Sequence, residues 1–231
     1  MNEDLLRERF QNLQARVAEA ARRVGRSAEE ITIVGVTKKF PPAVLATAAQ
    51  VGIRHVGENR VQELVEKQDA LPAVELIWHM VGPLQTNKIN KILGRIRLLQ
   101  SLDRIELADA LQKRLASPLD CLVEIKIAEE TTKHGIDPDE LPAFLDKLVT
   151  MDKIRVKGLM TVGPLTDDPS MIRKAFRRVA DLFEKEKKRN RPGAEFRFLS
   201  MGMSDDFEIA IEEGSRMIRV GTALFGPRPS P

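Results

Sequence analysis

Two adjacent lysines at the end of an apolar run offer the clearest chemistry in this sequence of 231 residues. Lys38 and Lys39 follow ITIVGVT, a run typical of a buried strand. Many lysines in such positions extend their amine to water. A lysine that points inward, desolvated and next to another cation, is neutral and attacks an aldehyde. Because side chains alternate along a strand, the two lysines cannot both point inward, and the residues alone leave open which one does.

Two loops of small residues near the C-terminus are suited to a phosphate. Ser204 lies in SMGMSDD, and Gly221 and Thr222 open GTALFG. Backbone N–H groups and hydroxyls of this kind bind phosphate at helix N-termini. The alternative is that Ser204 only caps a helix and Gly221 only forms a turn. Arg219 shares a face with Gly221, so its guanidinium is expected below the phosphate loop, facing the far side of a small phosphorylated ring.

Asn59 in GEN and His79 in WHM are further polar candidates. A single histidine in an apolar strand is more often a hydrogen-bonded core residue than a catalyst. The three histidines and the single cysteine, Cys121, have no metal-ligand spacing, so we expect no metal site. The sequence lacks both G-x-x-x-x-G-K-[ST] and G-x-G-x-x-G, and G-M-S-D-D is an incomplete G-x-S-x-G elbow.

The elements that must position these residues alternate along the chain. An N-terminal stripe of apolar residues predicts a covering helix within residues 1–26. Amphipathic stretches, among them 139–149 and 168–190, separate the apolar runs that follow. These runs span residues 31–38, 54–59, 75–82, 96–103, 121–128, 154–162, 196–202 and 217–226.

Eight strand and helix repeats without a linker predict a single (β/α)8 barrel over residues 31–226, in one domain of residues 1–231. A doubly wound open sheet is the alternative, because the number of strands does not show closure. In a barrel, functional residues lie at the C-terminal ends of the strands, and phosphates often bind after the seventh and eighth strands. The candidate residues occupy such positions.

Composition limits the class of protein. The formal net charge of +3 does not demand a nucleic-acid partner, and no apolar run is long enough to span a bilayer. The charged start MNEDLLRERF is unlike a signal peptide, and one cysteine forms no internal disulfide, so we expect a cytoplasmic protein.

Six ordered motifs give the chain a close resemblance to the pyridoxal phosphate homeostasis proteins, the YggS/PROSC family. The resemblance implies a barrel of the alanine racemase N-terminal type, with pyridoxal 5′-phosphate (PLP) bound to a lysine as a Schiff base. The motifs are VGVTKK (34–39), GENRVQE (57–63), WHMVGPLQTNK (78–88), KGLMTV (157–162), SMGMSDDFEIAI (200–211) and GSRMIRVGTALFG (214–226).

The same resemblance implies roles for individual residues. Matching the family's V-[ST]-K pattern places the Schiff base on Lys38. The chain departs from many relatives at Lys39, where they have a smaller polar residue, so a second amine lies next to the anchor. The other implied roles are phosphate binding by Ser204, Gly221 and Thr222, contact with the pyridine nitrogen by Arg219, pocket lining by Asn59 and His79, and a secondary PLP lysine at Lys133.

The expected function is that of a PLP carrier in vitamin B6 homeostasis and amino-acid balance, with PLP-dependent apoenzymes as possible recipients. An arginine at the pyridine nitrogen makes PLP a weaker electron sink than a carboxylate does. The resembling racemases also need a tyrosine base from a partner subunit and a second domain, whereas this sequence contains no tyrosine and ends after the eighth strand. We therefore expect a monomer without robust turnover. The alternatives are a weak PLP-dependent racemase or transaminase, and a barrel enzyme acting on a sugar phosphate.

Overall fold

The computed structural model describes residues 2–127 and 134–227, and its eight strands form a closed, fully parallel barrel in chain order. Strand β8 pairs with β1, which excludes the open-sheet alternative. The strands are β1 Thr32–Val36, β2 His55–Glu58, β3 Ile77–Met80, β4 Leu98–Leu102, β5 Leu119–Glu124, β6 Ile154–Met160, β7 Ala194–Ser200 and β8 Met217–Val220.

Helices follow the strands on the outside of the barrel. They are α1 Glu3–Arg23, α2 Pro42–Gln50, α3 Val61–Ala70, α4 Ile89–Ile92, α5 Ile105–Arg114, α6 Leu141–Leu148, α7 Pro169–Arg189, α8 Phe207–Glu212 and α9 Thr222–Phe225. None of the helices in the described ranges is long and apolar enough to cross a bilayer.

Helix α1 covers the outside of the barrel, as its apolar stripe predicts. Leu6, Leu13 and Val17 are buried on the face that packs against α8 and α9. Arg16 adds a bidentate ion pair with Glu208, at 3.0 Å for both bonds, and lies over the Phe207 ring. The helix therefore supports the two elements that follow the predicted phosphate loops.

The core has two layers, as the alternation of strand side chains requires. Residues facing outward pack against the helices in one large apolar cluster. A smaller cluster inside the barrel consists of Val34, Leu98, Leu122, Met160 and Met217. Inward positions between these residues and toward the C-terminal ends of the strands are polar, which is unusual in a closed core. The C-terminal end of the barrel is therefore where we look for a functional site.

The end of the last strand differs from the prediction. The last apolar run was predicted to continue to residue 226, but Gly221 interrupts it and Thr222–Phe225 forms α9. Helix α7 agrees with the predicted amphipathic stretch 168–190: the side chain of its N-cap Asp168 accepts from the Ser170 N–H, and Asn190 is its C-cap. Asn190 has φ +46°, a left-handed conformation that asparagine tolerates at a helix end.

Candidate functional site

A cavity of about 330 Å³ opens at the C-terminal end of the barrel, where β1, β2, β7 and β8 end. Its volume falls within the range of small-molecule sites, about 300–1,000 Å³. Apolar walls come from Val36, Phe40 and Val81. The structure brings six of the predicted site residues to this cavity: Lys38, Asn59, Ser204, Arg219, Gly221 and Thr222.

The adjacent lysines at the end of β1 occupy different environments. Lys38 lines the cavity, whereas Lys39 is exposed and is not among the lining residues. Lys39 has φ +70°, and its backbone N–H donates to Glu63 Oε2 at 2.7 Å. The chain therefore turns sharply after Lys38, and this turn sends the next side chain away from the cavity.

A buried ion pair behind β1 holds this turn in place. The three ammonium protons of Lys67 on α3 are donated to Glu58 Oε1 (2.6 Å), the Thr37 carbonyl oxygen (2.7 Å) and Glu63 Oε2 (3.2 Å). Thr37 Oγ1 also donates to Glu58 Oε1, at 2.5 Å. One cation thus ties α3 to the residue that precedes Lys38.

The hydrogen-bonded ion pair between Lys67 and Glu58, with Thr37 and Glu63, is called the Lys67 brace below. Burial dominates its electrostatics. Glu58 is fully buried, and its Oε2 has no hydrogen-bond partner among the described residues. Desolvation raises the pKa of Glu58, although the Lys67 ammonium opposes that shift. The Lys67 ammonium therefore favours the charged form of this carboxylate against the effect of burial.

Arg219 lies on β8 at the base of the cavity and is held by neutral acceptors. Its Nη1 donates to the carbonyl oxygen (3.0 Å) and Oγ (2.8 Å) of Ser200, and its Nη2 donates to the Thr161 carbonyl oxygen (2.8 Å). Desolvation lowers the pKa of Arg219 to about 10, opposed by the charges of Glu124 and Asp206. The guanidinium remains protonated at neutral pH and can only donate hydrogen bonds.

The two predicted phosphate loops meet at one hydroxyl. The backbone N–H groups of Gly221 (3.3 Å) and Ala223 (3.2 Å) both donate to Ser204 Oγ. Ser204 does not cap the helix that follows it, because the N-cap of α8 is Asp206. Two N–H groups that converge on one oxygen are the arrangement by which a backbone binds an anion.

A glycine allows the first of these loops to pass close to α8. Gly202 has φ +94°, and a Cβ atom there would lie 2.6 Å from the Ala210 Cβ. No other residue fits this position without displacing the helix. The sequence therefore fixes the path from β7 to Ser204.

His79 does not line this cavity, so its expected role in lining the pocket around Lys38 stays a prediction without support from the cavity's geometry. Its ring is buried inside the barrel, where it contacts His55 and Gln100 and lines a separate cavity at the N-terminal end. Burial lowers the pKa of His79 to about 3, so the ring is neutral. Lys133 lies outside the described residues.

Several residues of the site carry no sequence motif that reasoning from residue types could detect. Glu124, at the end of β5, is buried near Arg219, and burial together with the charge of Asp103 raises its pKa to about 7. Lys67 shows only an i,i+4 spacing from Glu63, which is typical of exposed helix pairs. Gln100 and Ser200 are polar residues within apolar strands, and this pattern alone predicts no particular role for them. Within the described ranges, no three His, Cys, Asp or Glu side chains are grouped as metal ligands would be.

Comparisons with known proteins identify the family of this chain. Residues 9–229 match the family described as alanine racemase, N-terminal domain. A relative from Aquifex aeolicus named pyridoxal phosphate homeostasis protein is 38% identical over 224 residues, which are 96% of this chain and 97% of the relative. The protein of that name from Escherichia coli strain K12 is 36% identical, with 92% of each chain covered.

Solved structures show the same fold. PipY of Synechococcus elongatus PCC7942, a structure with PLP bound, has a TM-score of 0.83 and 31% identity, covering 96% of this chain and all (100%) of PipY. Alanine racemase from Corynebacterium glutamicum is similar in fold alone, with a TM-score of 0.64 and 20% identity, covering 94% of this chain and 60% of the racemase. The chain belongs to the family of pyridoxal phosphate homeostasis proteins, within the alanine racemase N-terminal domain family.

Proposed function

We propose that the protein binds PLP in the cavity at the C-terminal end of the barrel and serves in PLP homeostasis inside the cell. The observation that carries this proposal is the donor set of the cavity. An amine, a hydroxyl with two converging N–H groups, and a donor-only guanidinium line one space of about 330 Å³. These groups match the aldehyde, the phosphate and the pyridine nitrogen of PLP in kind.

Lys38 is the proposed anchor and holds PLP as a Schiff base. It is the lysine of the adjacent pair that lines the cavity, and the Lys67 brace fixes the backbone on its N-terminal side. The neutral form of a lysine amine is the form that reacts with an aldehyde.

Ser204, Gly221 and Thr222 are the proposed phosphate ligands. Ser204 Oγ now receives the N–H groups of Gly221 and Ala223, at 3.2–3.3 Å, and a phosphate oxygen in that position would receive the same two donors. Ser204 would then turn its hydroxyl proton toward the phosphate. Asn59 also lines the cavity, and its amide is proposed to bind the polar edge of the ring.

Arg219 is the proposed partner of the pyridine nitrogen. Among the described residues, its Nε has no acceptor, while Nη1 and Nη2 are already bonded within the barrel. PLP, when bound, supplies an electron sink for amino-acid chemistry. A donor-only guanidinium favours an unprotonated pyridine nitrogen and makes that sink weaker. The resembling racemases also have an arginine at this position, so the support for a carrier comes from the absence of tyrosine from the sequence, since those racemases need a tyrosine base.

Borohydride reduction followed by peptide mapping tests the anchor. We expect wild-type protein loaded with PLP to be yellow and to carry the reduced adduct on Lys38. Lys38→Ala should lose both the colour and the adduct. Lys39→Ala is the matched control, since it removes the adjacent exposed amine, and it should retain both. An adduct on Lys39 in wild-type protein would refute the assignment.

Turnover is tested by incubating the PLP-loaded protein with L- and D-amino acids in deuterated water. A carrier leaves the Cα hydrogen in place and the stereochemistry unchanged. Steady exchange at Cα with repeated turnover, lost in Lys38→Ala, would replace the carrier by a weak racemase or transaminase. The alternative of a sugar-phosphate enzyme predicts a colourless protein that forms no lysine adduct with PLP.

A further inference from the structure

A continuous chain of hydrogen bonds runs through the barrel interior from Arg219 to the opposite end. Arg219 Nη1 is 2.8 Å from Ser200 Oγ, and that hydroxyl is 2.7 Å from Gln100 Oε1. Gln100 Nε2 is 3.0 Å from His79 Nδ1, and His79 Nε2 is 3.0 Å from His55 Nδ1. Five strands contribute one side chain each, and the three in the middle are fully or almost fully buried.

The direction of every bond in this chain follows from its first member. A guanidinium has donors only, so Ser200 Oγ accepts from Arg219 and must give its single proton to Gln100 Oε1. The Gln100 amide then presents Nε2–H to His79, whose Nδ1 must be unprotonated. A neutral His79 therefore carries its proton on Nε2 and donates it to His55 Nδ1.

The chemistry of the buried groups supports one fixed arrangement. A flipped Gln100 amide would place two donors, its own Nε2–H and Arg219, on Ser200 Oγ and leave the hydroxyl proton without this acceptor. It would also remove the contact between Gln100 Nε2 and Met217 Sδ, at 3.2 Å. Burial keeps His79 neutral, because desolvation lowers its pKa to about 3. In a dry core, an unpaired member of such a network is costly.

We propose that Gln100 is a positioning residue for Arg219, and that His79 and His55 fix the orientation of the Gln100 amide from the far end of the barrel. This inference rests on the proposed function, in which Arg219 meets the pyridine nitrogen. Gln100 does not line the PLP cavity and acts through the Ser200 hydroxyl. His79 thereby has a role in the site without touching the cofactor.

The first test is the protonation state of the histidine nitrogens, measured by long-range ¹H–¹⁵N correlation on uniformly labelled protein without PLP. In wild type we expect His79 with Nδ1 unprotonated and Nε2 protonated. In Gln100→Glu the carboxylate cannot donate, so His79 should gain a proton on Nδ1. Wild-type protein with Nδ1–H on His79, or an unchanged ring in Gln100→Glu, would overturn the proposal.

The second test is the affinity for PLP, followed by the visible spectrum during titration. Gln100→Met has a similar volume but no hydrogen-bonding amide, and we expect PLP binding about five- to tenfold weaker, the equivalent of about one hydrogen bond. Ser200→Ala should weaken binding similarly. Ser101→Ala is the matched control. Ser101 is equally buried on β4, but it donates to the Gly82 carbonyl oxygen, which is not part of this series of hydrogen bonds. It should change the affinity less than twofold.

The two readouts separate failure of this inference from failure of the proposed function. If wild-type protein traps PLP on Lys38 while Gln100→Met and Ser200→Ala bind as wild type does, the positioning role is refuted and PLP binding stands. If wild-type protein does not trap PLP, the proposed function is refuted, and the nitrogen signals of His79 still decide whether the chain of bonds has the stated direction.

Discussion

Replacing Lys67 by methionine tests the brace behind Lys38. The variant leaves Glu58, with no exposed side-chain surface, without the ammonium that lies 2.6 Å from its Oε1. Attraction across that distance is about 6 kcal/mol at an effective dielectric constant of about 20, before desolvation is counted. Removing one partner of a buried pair typically costs about 3–5 kcal/mol, because the remaining charge is uncompensated. We expect a loss of that size in the free energy of unfolding.

The loss depends on pH in a defined direction. Without Lys67, burial raises the pKa of Glu58 further above its value in the unfolded chain, so the native state binds the extra proton. Stability then falls as pH rises from the unfolded pKa, near 4.3, until the folded pKa is passed. The difference between Lys67→Met and wild type should therefore be smaller at pH 5 than at pH 8.

The assay is guanidinium chloride unfolding followed by fluorescence of Trp78, the single tryptophan, which is 7% exposed. Lys157→Met is the matched control, because its partner Glu195 is 61% exposed and such pairs contribute about 0–1 kcal/mol. The double variant Lys67→Met with Glu58→Gln should recover part of the loss. A loss below about 1 kcal/mol at pH 8, or one independent of pH, would refute the reasoning.

Three further predictions concern the loops and the core. Gly202→Ala should destabilise by more than the ~1–2 kcal/mol of left-handed strain alone, because its Cβ clashes with α8; Gly25→Ala, at φ +69° with no atom within 4 Å, should show only the strain in the same unfolding assay. Ser204→Ala should weaken PLP binding about five- to tenfold in a spectral titration but leave binding of pyridoxal, which lacks the phosphate, unchanged. Equal losses for both ligands would contradict the phosphate role. Cys121 should resist iodoacetamide until the protein unfolds, because burial raises the pKa of its thiol; labelling of native protein would contradict this.

Local sequence patterns were sufficient for the barrel. All eight apolar runs overlap a strand, although β5 and β7 each begin two residues before the predicted run. Buried parallel strands are apolar on both faces, and glycine, proline and amphipathic stretches separate them. Strand ends were less predictable. GTALFG is as apolar as the strand before it, and only the backbone turn at Gly221 ends β8 and starts a helix.

The site was predictable where a residue's position in a strand decides its direction, and not where long-range packing does. Alternation allowed only one of Lys38 and Lys39 to point inward, and the left-handed backbone at Lys39 explains how the chain separates them. The height of a residue inside the barrel depends on strand stagger, which no local pattern encodes. This is why the position of His79 at a cavity near the N-terminal end of the barrel was not predictable. The contacts of Lys67 on α3 with Thr37 and Glu58 are long-range as well, and no local pattern encodes them.

The most direct test of the central claim is a crystal structure of the protein grown with PLP. The account predicts electron density continuous from Lys38 Nζ to the cofactor, with the phosphate at the N–H groups of Gly221 and Ala223 and the pyridine nitrogen at Arg219. Density that joins PLP to Lys39 or to another lysine, or a cavity without PLP at saturating concentration, would contradict it.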